Sequence, residues 1–94
     1  PCSPCVVVGG PGNGEQSAAN CVAGVRAALV WSDATARLAR EHNDANMMAV
    51  GARQHSDDEA IALIDAFLET PFSGDERHQR RIDLMTAYER SVRA

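Results

Sequence analysis

Val6-Val7-Val8 runs directly into Gly9-Gly10-Pro11-Gly12-Asn13-Gly14, and Glu15-Gln16 follows at once. A β-branched run of this kind reads as a buried strand. Glycines permit positive φ and let the backbone approach a ligand with no side chain in the way. Glu15-Gln16-Ser17-Ala18-Ala19-Asn20 then reads as the start of a helix. Strand, glycine turn and helix N-terminus together present free N–H groups to a phosphate, carboxylate or enolate. A tight turn alone needs one or two glycines, whereas four are spent here. Glu15 beside such a site is either a helix-dipole partner or a base, and the local sequence leaves both open. The loop is no dinucleotide fingerprint, because Gly10, Gly12 and Gly14 space as G-x-G-x-G, and it lacks the Gly-Lys-Ser/Thr ending of a P-loop.

The same strand-then-helix order recurs. The first strand covers residues 6–9 and its helix 14–21. A second strand at 25–31 leads to Ser32, a plausible N-cap for a helix through Glu41, with Asp33 in its first turn. A short third strand at 47–50 ends at Gly51. Ser56-Asp57-Asp58-Glu59 fits a capping box, and Ala60, Ile61, Ile64, Phe67 and Leu68 form one apolar stripe at helical spacing. After Pro71 and Gly74, a last helix is predicted over 75–92, with Ile82, Met85, Tyr88 and Val92 on one face. The order βαβαβα predicts an α/β fold: a partial doubly wound, Rossmann-like parallel sheet of three strands with a long C-terminal helix. The first strand reads as central, so the sheet looks as if its first part were missing. The leader at 1–5 reads as a junction or a truncated frame, ahead of a single domain over 1–94. The apolar face of the last helix predicts packing on a second copy.

Ninety-four residues support one domain. A net charge of −4 argues against nucleic-acid binding. No apolar run is long enough for a bilayer span, and no secretory signal opens the chain, so a cytoplasmic location and no membrane partner are expected. Three cysteines make no disulfide framework. Cys2-Ser3-Pro4-Cys5 has C-x-x-C spacing, but it precedes a strand and has no second pair, so neither redox nor zinc chemistry is expected. Cys21 reads as a small apolar filler.

His42-Asn43-Asp44-Ala45-Asn46 closes the second helix with a polar cluster. A histidine there is commonly a favourable charge, and Asn43 suits an αL cap; the functional reading is an acid–base histidine. His42 precedes a strand whereas Glu15 follows one. The two therefore lie at opposite edges of a parallel sheet and meet only if a second subunit supplies one of them. Arg77 and Arg81 share a helix face at i, i+4 and suit a phosphate dianion; alone, they read as salt bridges to Asp75, Glu76 or Asp83. Arg53 lies at the carboxyl edge, where α/β ligand sites form. His55 and His78 have no metal-ligand spacing, so no metal and no cofactor are expected.

The segments 9–20, Ala39-Arg40-Glu41-His42-Asn43-Asp44-Ala45-Asn46 and Arg77-His78-Gln79-Arg80-Arg81-Ile82 together resemble, in order and spacing, the ribose-5-phosphate isomerase B family, and most closely its actinobacterial type. The resemblance implies a metal-independent isomerase of pentose phosphate metabolism that interconverts ribose 5-phosphate and ribulose 5-phosphate through an enediolate. It implies Glu15 as the base, His42 as the group that opens the sugar ring, and the loop amides around Gly10, Gly12, Asn13 and Gly14 as the enediolate cradle. Asn43 would bind sugar hydroxyls, and Arg53, Arg77 and Arg81 the phosphate, in a homodimer whose sites are shared between subunits. The chain departs from the family in three ways. The family's N-terminal portion with its Asp-His pair is not among these residues, Pro11 stands where serine or threonine is usual, and Cys21 replaces a lysine. The alternatives are an inactive dimerising fragment, a hexose-phosphate isomerase of the same family, and a flavodoxin-like nucleotide-binding module, the last disfavoured by the position of Glu15.

Overall fold

A computed structural model describes residues 4–93. Its elements run β1 (Cys5–Gly9), α1 (Asn13–Ala19), β2 (Ala27–Leu29), α2 (Asp33–Asn43), β3 (Met47–Gly51), α3 (Asp57–Glu69) and α4 (Glu76–Arg93). The three strands are parallel in the order β1-β3-β2. The α/β class, the parallel sheet and the long final helix are as the sequence predicts. The centre of the sheet is not. β3 occupies it, with Met48, Ala49 and Val50 buried, while β1 forms one edge among the described residues and leaves Val8 exposed.

The register is simple, with Cys5 opposite Met47 at one end of β1 and Gly9 opposite Gly51 at the other. The chain crosses from β1 over β3 to β2 through α1, which touches all three strands, then returns to β3 through α2, which packs on α3. Right-handed crossovers in opposite directions put α1 and α2 on opposite faces, so the sheet is doubly wound.

β2 is shorter than the predicted 25–31 because side chains take over its ends. Arg26 N–H donates to Asn46 Oδ1 (2.8 Å) and Ala27 N–H to Asn20 Oδ1 (2.8 Å), while Trp31 N–H donates to Thr35 Oγ1 (3.2 Å). That threonine completes a capping box with Ser32 at the start of α2. Ser56 and Glu59 form the second box, at α3, as their spacing predicts. Each box satisfies two helix-terminal donors and fixes where its helix begins.

The core joins Val30, Ala36, Ala39, Ala45, Met48, Val50, Leu63, Ala66 and Phe67. On α3 the buried face runs through Ala60, Leu63, Ile64 and Phe67, which is the i, i+3, i+4, i+7 pattern. Ile61 (56% exposed) and Leu68 (52%) belong to the predicted stripe but lie one residue round the helix, facing solvent. Among the described side chains of α4, His78 and Ile82 are buried; Leu84, Met85, Tyr88 and Val92 stay exposed. Among the described residues no helix is long and apolar enough to cross a membrane.

Candidate active site

The loop after β1 is seated on the carboxyl ends of the other strands. Gly12 is the N-cap of α1 at φ 90° and ψ −26°. A Cβ there would stand 2.7 Å from Leu29 Cδ1 and 3.2 Å from the Gly51 backbone nitrogen. Only glycine combines that positive φ with that closeness. Ala52 N–H donates to Gly9 C=O (2.6 Å) and Arg53 N–H to Gly10 C=O (3.2 Å), tying the loop after β3 to the loop after β1. Gln16 N–H bonds Gly12 C=O (3.0 Å), so the amides of Asn13, Gly14 and Glu15 precede the first intrahelical bond.

Two side chains close over this backbone. The Glu15 carboxylate folds back onto Gly9, against the space a Cβ would occupy. The Arg53 guanidinium lies over Gly10, its atoms 3.1–3.4 Å from the same imagined position there. The carboxyl edge of β1 and β3 thus collects Gly10, Gly12, Asn13, Gly14, Glu15 and Arg53. A carboxylate, an adjacent row of amides and a guanidinium are the parts needed to take a proton from carbon, stabilise the oxyanion that results and hold a phosphate.

The other predicted residues lie at the opposite edge. His42 and Asn43 form the last turn of α2, immediately before β3. The αL cap is Asp44 (φ 44°), not Asn43, and its N–H bonds Arg40 C=O (3.1 Å). Asn43 stays helical, and its carbonyl accepts from Arg26 Nε (3.0 Å). His42, Asn43, His78 and Arg81 line a cavity of about 290 Å³ together with Thr35 and Leu38. The His42 ring stacks on His78, with centroids 4.2 Å apart and planes at 29°. A larger cavity of about 380 Å³ adjoins it through Asn43 and Ala28. Its Asn20 and Arg26 side chains are engaged by Ala27, Asn43 and Asp44.

Arg77 and Arg81 part company. Arg81 faces the cavity, whereas Arg77 is exposed and pairs with Asp75 at 3.3 Å. Asp75 also accepts the Arg77 backbone N–H (2.8 Å). That backbone bond, then the Arg77 side chain, holds the Asp75 carboxyl below its ordinary range. Asp83 accepts from Gln79 Nε2 (2.8 Å) and, among the described residues, pairs with no arginine.

One chain therefore brings nine of the ten predicted residues into two groups and leaves Arg77 apart from both. Four strand steps separate the Gly9–Gly51 end of the sheet from the Cys5–Met47 end, roughly 13 Å at about 3.3 Å per residue. Sequence reasoning passed over His78 and Ser73. The signal was the helical period, since His78, Ile82 and Met85 share one face of α4. Cys21 is exposed, with its Sγ toward Ser17 C=O (3.5 Å), and is no filler. Cys2 and Ser3, half of the C-x-x-C spacing, lie outside the described residues. Among the described residues no three His, Cys, Asp or Glu side chains converge as a metal site.

A protein-family model described as Ribose/Galactose Isomerase matches residues 2–85. Ribose-5-phosphate isomerase B of Mycolicibacterium paratuberculosis is 56% identical over 89 residues, covering 95% of this chain and 56% of that protein. The solved type B ribose 5-phosphate isomerase of Trypanosoma cruzi matches at a TM-score of 0.89 and 49% identity, over 92% of this chain and 56% of that one. The Mycoplasma genitalium ribose-5-phosphate isomerase B, solved with bound ribulose-5-phosphate, matches at 0.86 and 47%, over 90% and 55%. The chain thus spans little more than half the length of these relatives. A family match across most of the sequence, carried on the same backbone at such identity, makes this chain a member of the ribose/galactose isomerase family.

Proposed function

We propose that this chain carries the catalytic core of a metal-independent aldose–ketose isomerase acting on ribose 5-phosphate and ribulose 5-phosphate. The observation that carries the reading is the Glu15 carboxylate folded over Gly9, beside the loop amides and the Arg53 guanidinium. His42 protonates the furanose ring oxygen as the C1 hydroxyl gives up its proton, and the sugar opens. The Glu15 carboxylate takes the proton on C2, and the electron pair moves onto the aldehyde oxygen to give an enediolate. The amides at Gly12, Asn13 and Gly14 stabilise that oxygen. Glu15 returns its proton to C1, the C2 hydroxyl proton passes to O1, and the product is the ketose with every atom retained. Arg53, Arg77 and Arg81 hold the phosphate, and Asn43 binds a sugar hydroxyl.

Both residue groups serve one sugar in a homodimer, where the carboxyl edge of one subunit faces the amino edge of its partner. The exposed Met85, Tyr88 and Val92 face of α4 supports such an assembly. The protein acts as a single domain in the cytoplasm, without a cofactor or a nucleic-acid partner.

Glu15→Gln tests the reading directly. Ketose formation from ribose 5-phosphate should fall at least about 100-fold in kcat, the lower range for a general base, with KM little changed. Turnover within about threefold of the parent, far less than general acid–base catalysis contributes, overturns the assignment of the base.

A further inference from the structure

His78 is a buried imidazole, 7% exposed, that the proposed reaction does not use. As filler it would need only its bulk, and a leucine would serve. The ring is instead stacked on His42, with centroids 4.2 Å apart and planes inclined at 29°. Its Nδ1 lies 2.7 Å from Ser73 Oγ. That oxygen also accepts the Asp75 N–H (3.0 Å). Ser73 N–H in turn donates to Glu41 C=O (3.1 Å), the residue before His42. One serine thus ties the last turn of α2, the first turn of α4 and the plane of the His78 ring together.

His42 has no comparable support. Among the described residues no hydrogen bond reaches its ring, which sits at an exposed helix end. An imidazole in that setting exchanges among rotamers. The stack on His78 is what holds it toward the cavity with Asn43 and Arg81.

We propose that His78, fixed by Ser73, is a positioning residue that orients the His42 ring for acid–base work on the bound sugar. The proposal rests on the isomerase reading of His42. An acid–base group works only within hydrogen-bond reach of its proton, and small misplacements are costly in rate. Loss of the stack therefore lowers kcat and leaves substrate binding nearly intact.

The test compares the parent chain with His78→Leu, His78→Phe and Ser73→Ala. It follows the His42 ring signals by NMR on the free chain and isomerisation kinetics on ribose 5-phosphate. In the parent and in His78→Phe, the His42 ring proton should show the upfield shift of a stacked ring; in His78→Leu it should move to the free-imidazole position. His78→Leu should lose about tenfold in kcat with KM within about twofold, the pattern of an interaction made in the transition state. His78→Phe should recover to within about threefold of the parent, because stacking survives without the hydrogen bond. Ser73→Ala leaves both rings in place and should cost less than His78→Leu; it also serves if the leucine variant fails to fold. An unchanged His42 signal in His78→Leu overturns the stack, and an unchanged kcat beside a moved signal overturns the positioning role alone. A parent chain without turnover removes the isomerase reading, and this proposal with it.

Discussion

Alanine at Gly12 and alanine at Gly14 should have opposite effects on folding, although the two positions are two residues apart in the same loop. At Gly12 the backbone sits at φ 90°, where a side chain costs about 1–2 kcal/mol. The added methyl would lie 2.7 Å from Leu29 Cδ1, about 1 Å inside an ordinary carbon–carbon contact. Retreat in another direction is blocked by the Gly51 nitrogen at 3.2 Å and the Val50 carbonyl carbon at 3.4 Å, both in the central strand. Overpacking of that kind adds about 1–3 kcal/mol, for a total of about 2–5 kcal/mol. Gly14 meets nothing within 4 Å and lies inside α1. Alanine there gains up to about 1 kcal/mol of helix propensity. The two variants should therefore differ by about 2 kcal/mol or more, or at least about 8 °C in melting temperature at about 4–8 °C per kcal/mol for a domain of this size. Thermal melts followed by circular dichroism read the difference. If Gly12→Ala melts within a few degrees of Gly14→Ala, the loop is not seated on β2 and β3, and the amide row has no fixed aim.

Phe67 has no exposed surface and centres the contact of α3 with the core, so Phe67→Ala should cost about 3–5 kcal/mol, measured by urea denaturation. Acid should weaken the fold through two carboxylates held below their ordinary range. Glu59 is held there by the Ser56 backbone N–H and then by the Ser56 side chain, and Asp75 by the Arg77 backbone N–H and then its side chain. A folded pKa below the unfolded one means stability that is fully present above the ordinary carboxylate value, about 4, and is lost as pH falls through the folded values. A melting-temperature series from neutral pH to pH 3 should show that decline, and Ser56→Ala should remove only the smaller, side-chain part of the share carried by Glu59.

What the sequence revealed best was whatever depends on neighbours along the chain. Ser56 and Glu59 announce a helix start because a capping box is closed by four consecutive residues, and the glycines around Gly12 announce a loop because only glycine meets its backbone demand. Long-range arrangement was less legible. Nothing local says that β3 lies between β1 and β2, since strand order is set by which face each crossover helix buries. The limits of β2 were hidden because Asn20 and Asn46, distant in sequence, cap its backbone in place of a partner strand. Ile61 and Leu68 misled for a related reason: an apolar residue near a stripe reads as core until the neighbouring helix shows where the stripe's edge lies. His78 was visible only as a histidine without metal spacing; its meaning comes from the ring of His42, thirty-six positions away and brought close by the docking of α4 on α2.

The separation of Glu15 from His42 makes subunit sharing testable without a structure of the dimer. Glu15 follows the end of β1 that pairs with Gly51, and His42 precedes the end of β3 that pairs with Cys5. If one sugar needs both, each site takes its Glu15 from one subunit and its His42 from the other. Glu15→Gln and His42→Asn should each be nearly inactive alone. In a mixed dimer one site collects both substitutions and the other collects neither. Random exchange of equal amounts makes half the dimers mixed, and each of these has one intact site of two. The mixture should therefore regain about a quarter of parental activity, as a two-fold symmetric assembly requires. The assay is ketose formation after the two variants are unfolded and refolded together, against each refolded separately. A mixture no more active than its components would place Glu15 and His42 in the same subunit's site, and the two edges of this sheet would then need to be joined by some other route.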